Sequence, residues 1–225
     1  MVDEASNEGE AFVVAENVSK RFGAHWALAR ASFKVRRGEL ALLVGDNGSG
    51  KTTLIRCLAT GFVPDFGRAS VFGHDLVAGR DEVRRRVASL SVPAGAYGSL
   101  SARENLTLAD EVLGLSRRSA IDAALDRVGL GTRQDVPLDA FSAGMKQRFA
   151  LARLSLLQRD LILLDEPETH LDAAGLGLLQ AMLAEWKAAG AALVCATHAP
   201  ERYQAQGDLV VRLVGGRPEP GGGAA

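Results

Sequence analysis

The chain has little cysteine, no long hydrophobic run and no excess of charge of either sign, and each shortage removes a class of protein. Cys57 and Cys195 are its two cysteines, and both lie in apolar runs. That pattern offers neither a disulfide framework nor a thiolate metal site, so both are expected to be buried, reduced thiols of a cytosolic protein. The longest apolar runs, such as residues 191–196, fall far short of the ~20 residues that cross a bilayer. No signal-peptide pattern opens the chain, so any membrane role is expected to come through a partner. With 26 basic and 27 acidic residues the formal net charge is -1, which gives no overall electrostatic reason to bind nucleic acid. The cluster Arg84, Arg85 and Arg86 reads as a solvated helix face. At 225 residues there is room for one sizeable core in one domain with a subdomain.

What the chain does have is a glycine-rich loop in the right setting. Gly45, Asp46, Asn47, Gly48, Ser49, Gly50, Lys51, Thr52 and Thr53 follow one another and fit the phosphate-binding pattern of glycine, any four residues, glycine, lysine, and serine or threonine. The run Ala-Leu-Leu-Val at 41–44 suits a buried parallel strand, and a helix is expected from Thr53 onward. Gly45, Gly48 and Gly50 let the backbone turn with positive φ and bring its N–H groups around phosphates at the positive end of that helix. Lys51 would reach the β- and γ-phosphates of a nucleotide, and the Thr52 hydroxyl would ligate Mg²⁺.

Around this loop the pattern alternates. Residues 1–10 are acidic and aperiodic and read as disordered. Residues 12–18 and 31–35 read as strands of a small antiparallel layer, and 69–73 as another short strand. Residues 81–86 read as a helix, 91–100 as a mobile loop, and Ser101 as the start of a helical segment reaching about residue 157, broken at 129–131 and Pro137. A continuous apolar run at 161–164 ending in Asp165 and Glu166, a helix over 173–189 and an apolar run at 191–197 ending at His198 complete the pattern. Strands alternating with helices argue for an α/β fold with a parallel sheet. The domain is expected over 11–215, its helical part at about 85–157, with an unstructured tail over 216–225.

In open parallel sheets ligands gather at the carboxyl ends of strands, where Gly45, Asp165, Glu166 and His198 lie. Asp165 can hold Mg²⁺ or its water, and Glu166 is placed to polarise a water attacking the γ-phosphate. Ser142 is a natural N-cap for a helix whose first turn is kept open by Ala143 and Gly144.

The stretch Phe-Ser-Ala-Gly-Met-Lys-Gln-Arg at 141–148 resembles the signature motif of ABC ATPases, usually Leu-Ser-Gly-Gly-Gln. It lies between the phosphate loop and Asp165, as in that family. The resemblance covers residues 12–215 and implies a P-loop ATPase of ABC type, binding ATP and Mg²⁺ at the cytoplasmic face of a membrane beside a transmembrane permease. It also implies a head-to-tail dimer in which Ser142 and Gly144 of one copy complete the site of another. On the same template Phe22 looks like the aromatic that stacks on adenine, residues 169–172 with Asp172 like the loop that crosses the dimer, and His198 like the switch histidine.

Two departures stand out. Ala143 and Met145 replace the glycine and glutamine of the signature, and Val92 stands where a glutamine contacting Mg²⁺ is expected, so slow hydrolysis by the isolated subunit is expected. Within the superfamily the chain most resembles the ATPase of the haem exporter of cytochrome c biogenesis. An exporter of drugs or other small molecules, a soluble non-transport ABC ATPase and a module that binds ATP but hydrolyses it poorly remain alternatives.

Overall fold

The computed structural model describes residues 11–90 and 96–219. The acidic start over 1–10, Val92 and the end of the chain from 220 lie outside them. Two compact units divide the chain: one runs through Ser89 and takes in Arg159–Glu166 and the residues from Leu183 on, and the other is Leu90–Gln158 with Pro167–Met182.

The first unit begins with an antiparallel hairpin, β1 (Ala11–Phe22) and β2 (His25–Arg36), in a register that sets Phe22 opposite His25. In β2 the apolar Ala31, Phe33 and Val35 are buried while Ser32, Lys34 and Arg36 are exposed, the period of two of a half-buried strand. β4 (Phe66–Val71) and β5 (His74–Asp75) extend this sheet in the order β2-β1-β4-β5.

The second sheet contains β3 (Leu40–Val44), β6 (Val87–Leu90), β7 (Leu161–Asp165), β8 (Ala192–Thr197), β9 (Leu209–Val214) and β10 (Arg217–Pro218), in the order β10-β9-β3-β8-β7-β6. β3 runs parallel to both β8 and β9, and β7 parallel to β8. Every residue of β3 and β8 is buried, which is why their sequences are unbroken apolar runs rather than alternating ones. Leu54, Ile55 and Leu58 of α1 (Lys51–Leu58) share one core with Ala41 and Leu43 of β3, Val194 of β8 and the inner face of the antiparallel sheet. Between the sheets' strands in sequence, α2 (Arg80–Arg86) exposes Arg84, Arg85 and Arg86. Both cysteines are buried and joined in no disulfide, and burial pushes the Cys57 thiol up to about 11.

Two expectations need correction in this unit. Residues 216–219 are not a tail, because Gly215 and Gly216 both adopt positive φ and turn the chain into β10, which pairs antiparallel with β9. The Gly216 carbonyl then accepts a 2.6 Å hydrogen bond from the Ala29 N–H of β2. A glycine pair serves equally as a linker and as a hairpin turn, and here the turn wins. Residues 87–90, expected to belong to the helical part, form the strand β6.

In the second unit α3 (Ala102–Leu113) packs on α4 (Ile121–Arg127), and α4 on α5 (Ala143–Leu157). A capping box starts α3: the Ser101 hydroxyl accepts from the Glu104 N–H, and the Glu104 carboxylate accepts from the Ser101 N–H at 2.8 Å, satisfying donors that the first turn leaves unpaired. Residues 97–100, expected to belong to a mobile connector, are tied down by Asn105. Its amide donates to the Tyr97, Leu100 and Ser101 carbonyls and its oxygen accepts from the Tyr97 N–H. This unit also holds the start of α6 (Ala173–Ala188).

Candidate active site

Two glycines of the loop between β3 and α1 are required by close contacts. A β-carbon at Gly50 would stand 2.4 Å from the Ala27 carbonyl oxygen, and one at Gly45 2.2 Å from that of Leu213. Gly45, Gly48 and Gly50 all have positive φ, as expected from the sequence. Gly50 is the N-cap of α1, which begins at Lys51, two residues earlier than its apolar pattern suggested.

Lys51 is 4% exposed, and its Nζ donates to the Gly45 and Asp46 carbonyls at 2.7 and 3.0 Å. Burial holds its pKa below the usual lysine value, against the opposing pull of Glu166, Asp165 and Asp46. The Ser49 hydroxyl is buried without a hydrogen-bond partner among the described residues. An orphaned hydroxyl beside a buried ammonium is a poor arrangement for the protein alone and a good one for an anion.

At the end of β7 the Thr52 hydroxyl donates to Asp165 Oδ1 at 3.1 Å. Burial raises the Asp165 pKa; the Thr52 hydrogen bond opposes this and the Glu166 charge adds to it. Glu166 sits in the left-handed region at φ 49°, its N–H bonded to the Ala196 carbonyl of β8. His198 Nε2 lies 2.8 Å from Glu166 Oε1.

An open pocket of about 370 Å³ is lined by Phe22, His25, Ala27, residues 47–53 and Glu166. It gathers Phe22, the phosphate loop and Glu166, to which Asp165 and His198 are joined through Thr52 and Glu166. A larger groove of about 640 Å³ lies over the antiparallel sheet beside Trp26, Arg30 and Phe66. It has no carboxylate or imidazole in its wall, so the chemistry belongs to the smaller pocket. His25 was not among the residues expected here; the one signal for it is its place across the hairpin from Phe22.

Ser142, Ala143, Gly144 and Asp172 lie in the second unit. Ser142 caps α5, its hydroxyl accepting from the Met145 N–H at 3.2 Å. A β-carbon at Gly144 would come 2.8 Å from the His170 carbonyl, and Gln147 Nε2 donates to the Pro167 carbonyl at 2.8 Å. Asp172 Oδ1 accepts from the Gly175 N–H at 2.8 Å and from Arg148 Nη2 at 2.6 Å, and these bonds hold its carboxyl below the usual range. Asp172 therefore closes the loop ahead of α6 onto α5.

The model of one family, the ABC transporters, matches residues 28–169. The chain belongs to that family. Among its relatives are the cytochrome c biogenesis ATP-binding export protein CcmA of Pseudomonas putida, 39% identical over 74% of this chain and 79% of that protein. The bacitracin transport ATP-binding protein BcrA of Bacillus licheniformis is 35% identical over 71% of this chain. The chain spans about half the length of that relative, 52%. A solved ATP-binding subunit of an ABC transporter superposes with a TM-score of 0.86 at 30% identity, covering 93% of this chain and 88% of that one. An ATP-binding cassette in its ADP conformation shares the fold at 21% identity and a TM-score of 0.77. The chain thus has the fold of an ABC ATPase, a P-loop domain that binds and hydrolyses ATP.

Proposed function

We propose that the chain is the ATP-hydrolysing subunit of a membrane exporter and works as a head-to-tail pair of copies. The observation that carries the hydrolytic reading is the gathering at one pocket of Lys51, Thr52 and Glu166, with Thr52 hydrogen-bonded to Asp165 at 3.1 Å and Glu166 to His198 at 2.8 Å. On ATP binding, the Lys51 ammonium moves its donors from the loop carbonyls to the β- and γ-phosphates, while backbone N–H groups of the loop cradle them. Phe22 receives the adenine. The Thr52 hydroxyl and the Asp165 carboxylate would hold Mg²⁺; a buried carboxylate whose burial opposes its charge is a fitting ligand for a cation. Mg²⁺ supplies charge neutralisation at the phosphates. Glu166 accepts a proton from the attacking water as the water oxygen bonds to the γ-phosphorus and the bond from that phosphorus to the β,γ-bridging oxygen breaks, the electron pair leaving with ADP; His198 orients the Glu166 carboxylate.

Ser142 and Gly144 of a second copy would present the start of α5 to the γ-phosphate, completing the site. Asp172, engaged by Arg148 and Gly175, then serves by shaping the loop that meets the other copy. Force on a transmembrane permease comes from closure and reopening of the pair. Among the described residues no helix is long and apolar enough to cross a membrane, so membrane attachment is assigned to that partner.

For the cargo we favour haem export in cytochrome c assembly, supported by the 39% identity to CcmA over 79% of its length. The test is rescue of c-type cytochrome assembly in a bacterium lacking its own CcmA. Drug export is the second reading, supported by the bacitracin relative and by the daunorubicin resistance protein DrrA3 of Streptomyces coeruleorubidus at 36% identity. Raised resistance to those compounds without cytochrome rescue would decide for it.

A further inference from the structure

Behind Phe22 lies a contact that joins the base end of the pocket to the phosphate end. After α1 the chain turns back on itself, with the Gly61 and Phe62 N–H groups both donating to the Arg56 carbonyl at 2.7 and 3.1 Å. That fold sets the Phe62 ring against Phe22, centroids 5.3 Å apart and planes at 72°. On the α1 side, the Arg56 guanidinium lies 5.6 Å from the Phe62 ring centre. Three residues on, Asp65 grips the strand that carries Phe22: its carboxylate accepts from the Arg21 N–H at 2.8 Å and pairs with Lys20 at 3.3 Å, and its own N–H donates to the Ser19 carbonyl at 2.8 Å.

We propose that Phe62 is a positioning residue for base recognition, fixing the Phe22 ring on a support built from the helix that begins at Lys51. The inference rests on reading Phe22 as the platform for the base. Phe22 is 47% exposed at the end of a hairpin, where a ring without support samples several rotamers and loses that freedom when a base stacks on it. An edge-to-face partner removes much of that cost in advance. Because Phe62 and Lys51 belong to the same helix and its following turn, a nucleotide that engages both ends meets one prearranged body. The consequence is specific: Phe62 matters for ligands that carry a base and not for a bare phosphate chain.

The test titrates the full chain with ATP and with inorganic tripolyphosphate, in the wild type and in Phe62→Ala, Phe62→Leu, Phe22→Ala and the Phe22→Ala, Phe62→Ala double variant. Phe62→Ala is expected to weaken ATP binding about two- to tenfold, the size of one aromatic pair, and to leave tripolyphosphate binding within about twofold. Phe62→Leu keeps apolar bulk but not the ring, and should reproduce the ATP loss with tripolyphosphate binding intact. The double variant should bind ATP no worse than Phe22→Ala alone. Equal losses for both ligands, an unchanged ATP affinity or additive losses in the double variant would each overturn the proposal. If Phe22→Ala keeps its full preference for ATP over tripolyphosphate, the platform reading falls and this inference with it. If Phe22→Ala loses that preference while Phe62→Ala keeps it, the inference alone falls.

Discussion

Lys51 carries its charge among backbone carbonyls, 4% exposed, with carboxylates at Glu166, Asp165 and Asp46 raising its pKa against burial. A ligand with several negative oxygens is a better partner for that ammonium than two carbonyls, so Lys51→Ala is expected to lower ATP affinity by at least about tenfold. An equilibrium titration that returns wild-type affinity would remove Lys51 from the site. A second residue-level prediction concerns pH. The Arg21 N–H, and then Lys20, hold the Asp65 carboxyl below its ordinary value. A carboxylate depressed in the folded state stabilises the fold fully above its unfolded pKa of about 3.9, and that support fades as pH falls through the folded value. The Tm of Asp65→Ala should therefore lie below that of the wild type at neutral pH, with the two curves converging in acid. A gap that persists undiminished at the acid end would show that the charge of Asp65 is not what holds the strand.

At the scale of elements, the phosphate loop and its two flanking elements are legible in the sequence because burial on both faces leaves β3 no polar position, and β7 and β8 none before their last residues, Asp165 and Thr197. β9 alternates buried and exposed residues ahead of a Gly-Gly pair, so its end reads as a linker until β10 pairs with it. The Phe22 and Phe62 contact joins residues forty apart in the chain, and no local pattern announces it. Gly144 lies between these cases: the motif marks the position, but only the nearby His170 carbonyl explains why a glycine stands there. Ala143 beside it shows that an alanine is acceptable in this turn of α5. Gly144→Ala gains up to about 1 kcal/mol of helix propensity but forces a β-carbon to 2.8 Å from backbone, and overpacking of that kind costs about 1–3 kcal/mol. The variant is expected to unfold at lower urea concentration than the wild type. An unchanged midpoint would mean that the loop ahead of α6 yields freely.

For the whole molecule, the phosphate loop and the start of α5 fall in different compact units, and the proposed head-to-tail pair would bring the first of one copy to the second of the other. The residue that reports on this assembly is Glu166. Glutamine there keeps the volume and an oxygen that can still accept from His198 Nε2, now 2.8 Å from Glu166 Oε1, but its amide cannot take a proton from water. Loss of a general base lowers turnover by about 10²-fold or more, while Lys51, Thr52 and Asp165 continue to bind nucleotide. With ATP and Mg²⁺, Glu166→Gln should therefore accumulate as a dimer in size-exclusion chromatography. The same variant with ADP, or combined with Lys51→Ala, should run as a monomer. Those controls separate a pair held by intact ATP from a surface made sticky by the substitution. A monomer under every condition together with undiminished turnover would remove both the base and the paired site. Dimers that form equally with ADP would instead leave Glu166 as the base and detach assembly from the γ-phosphate.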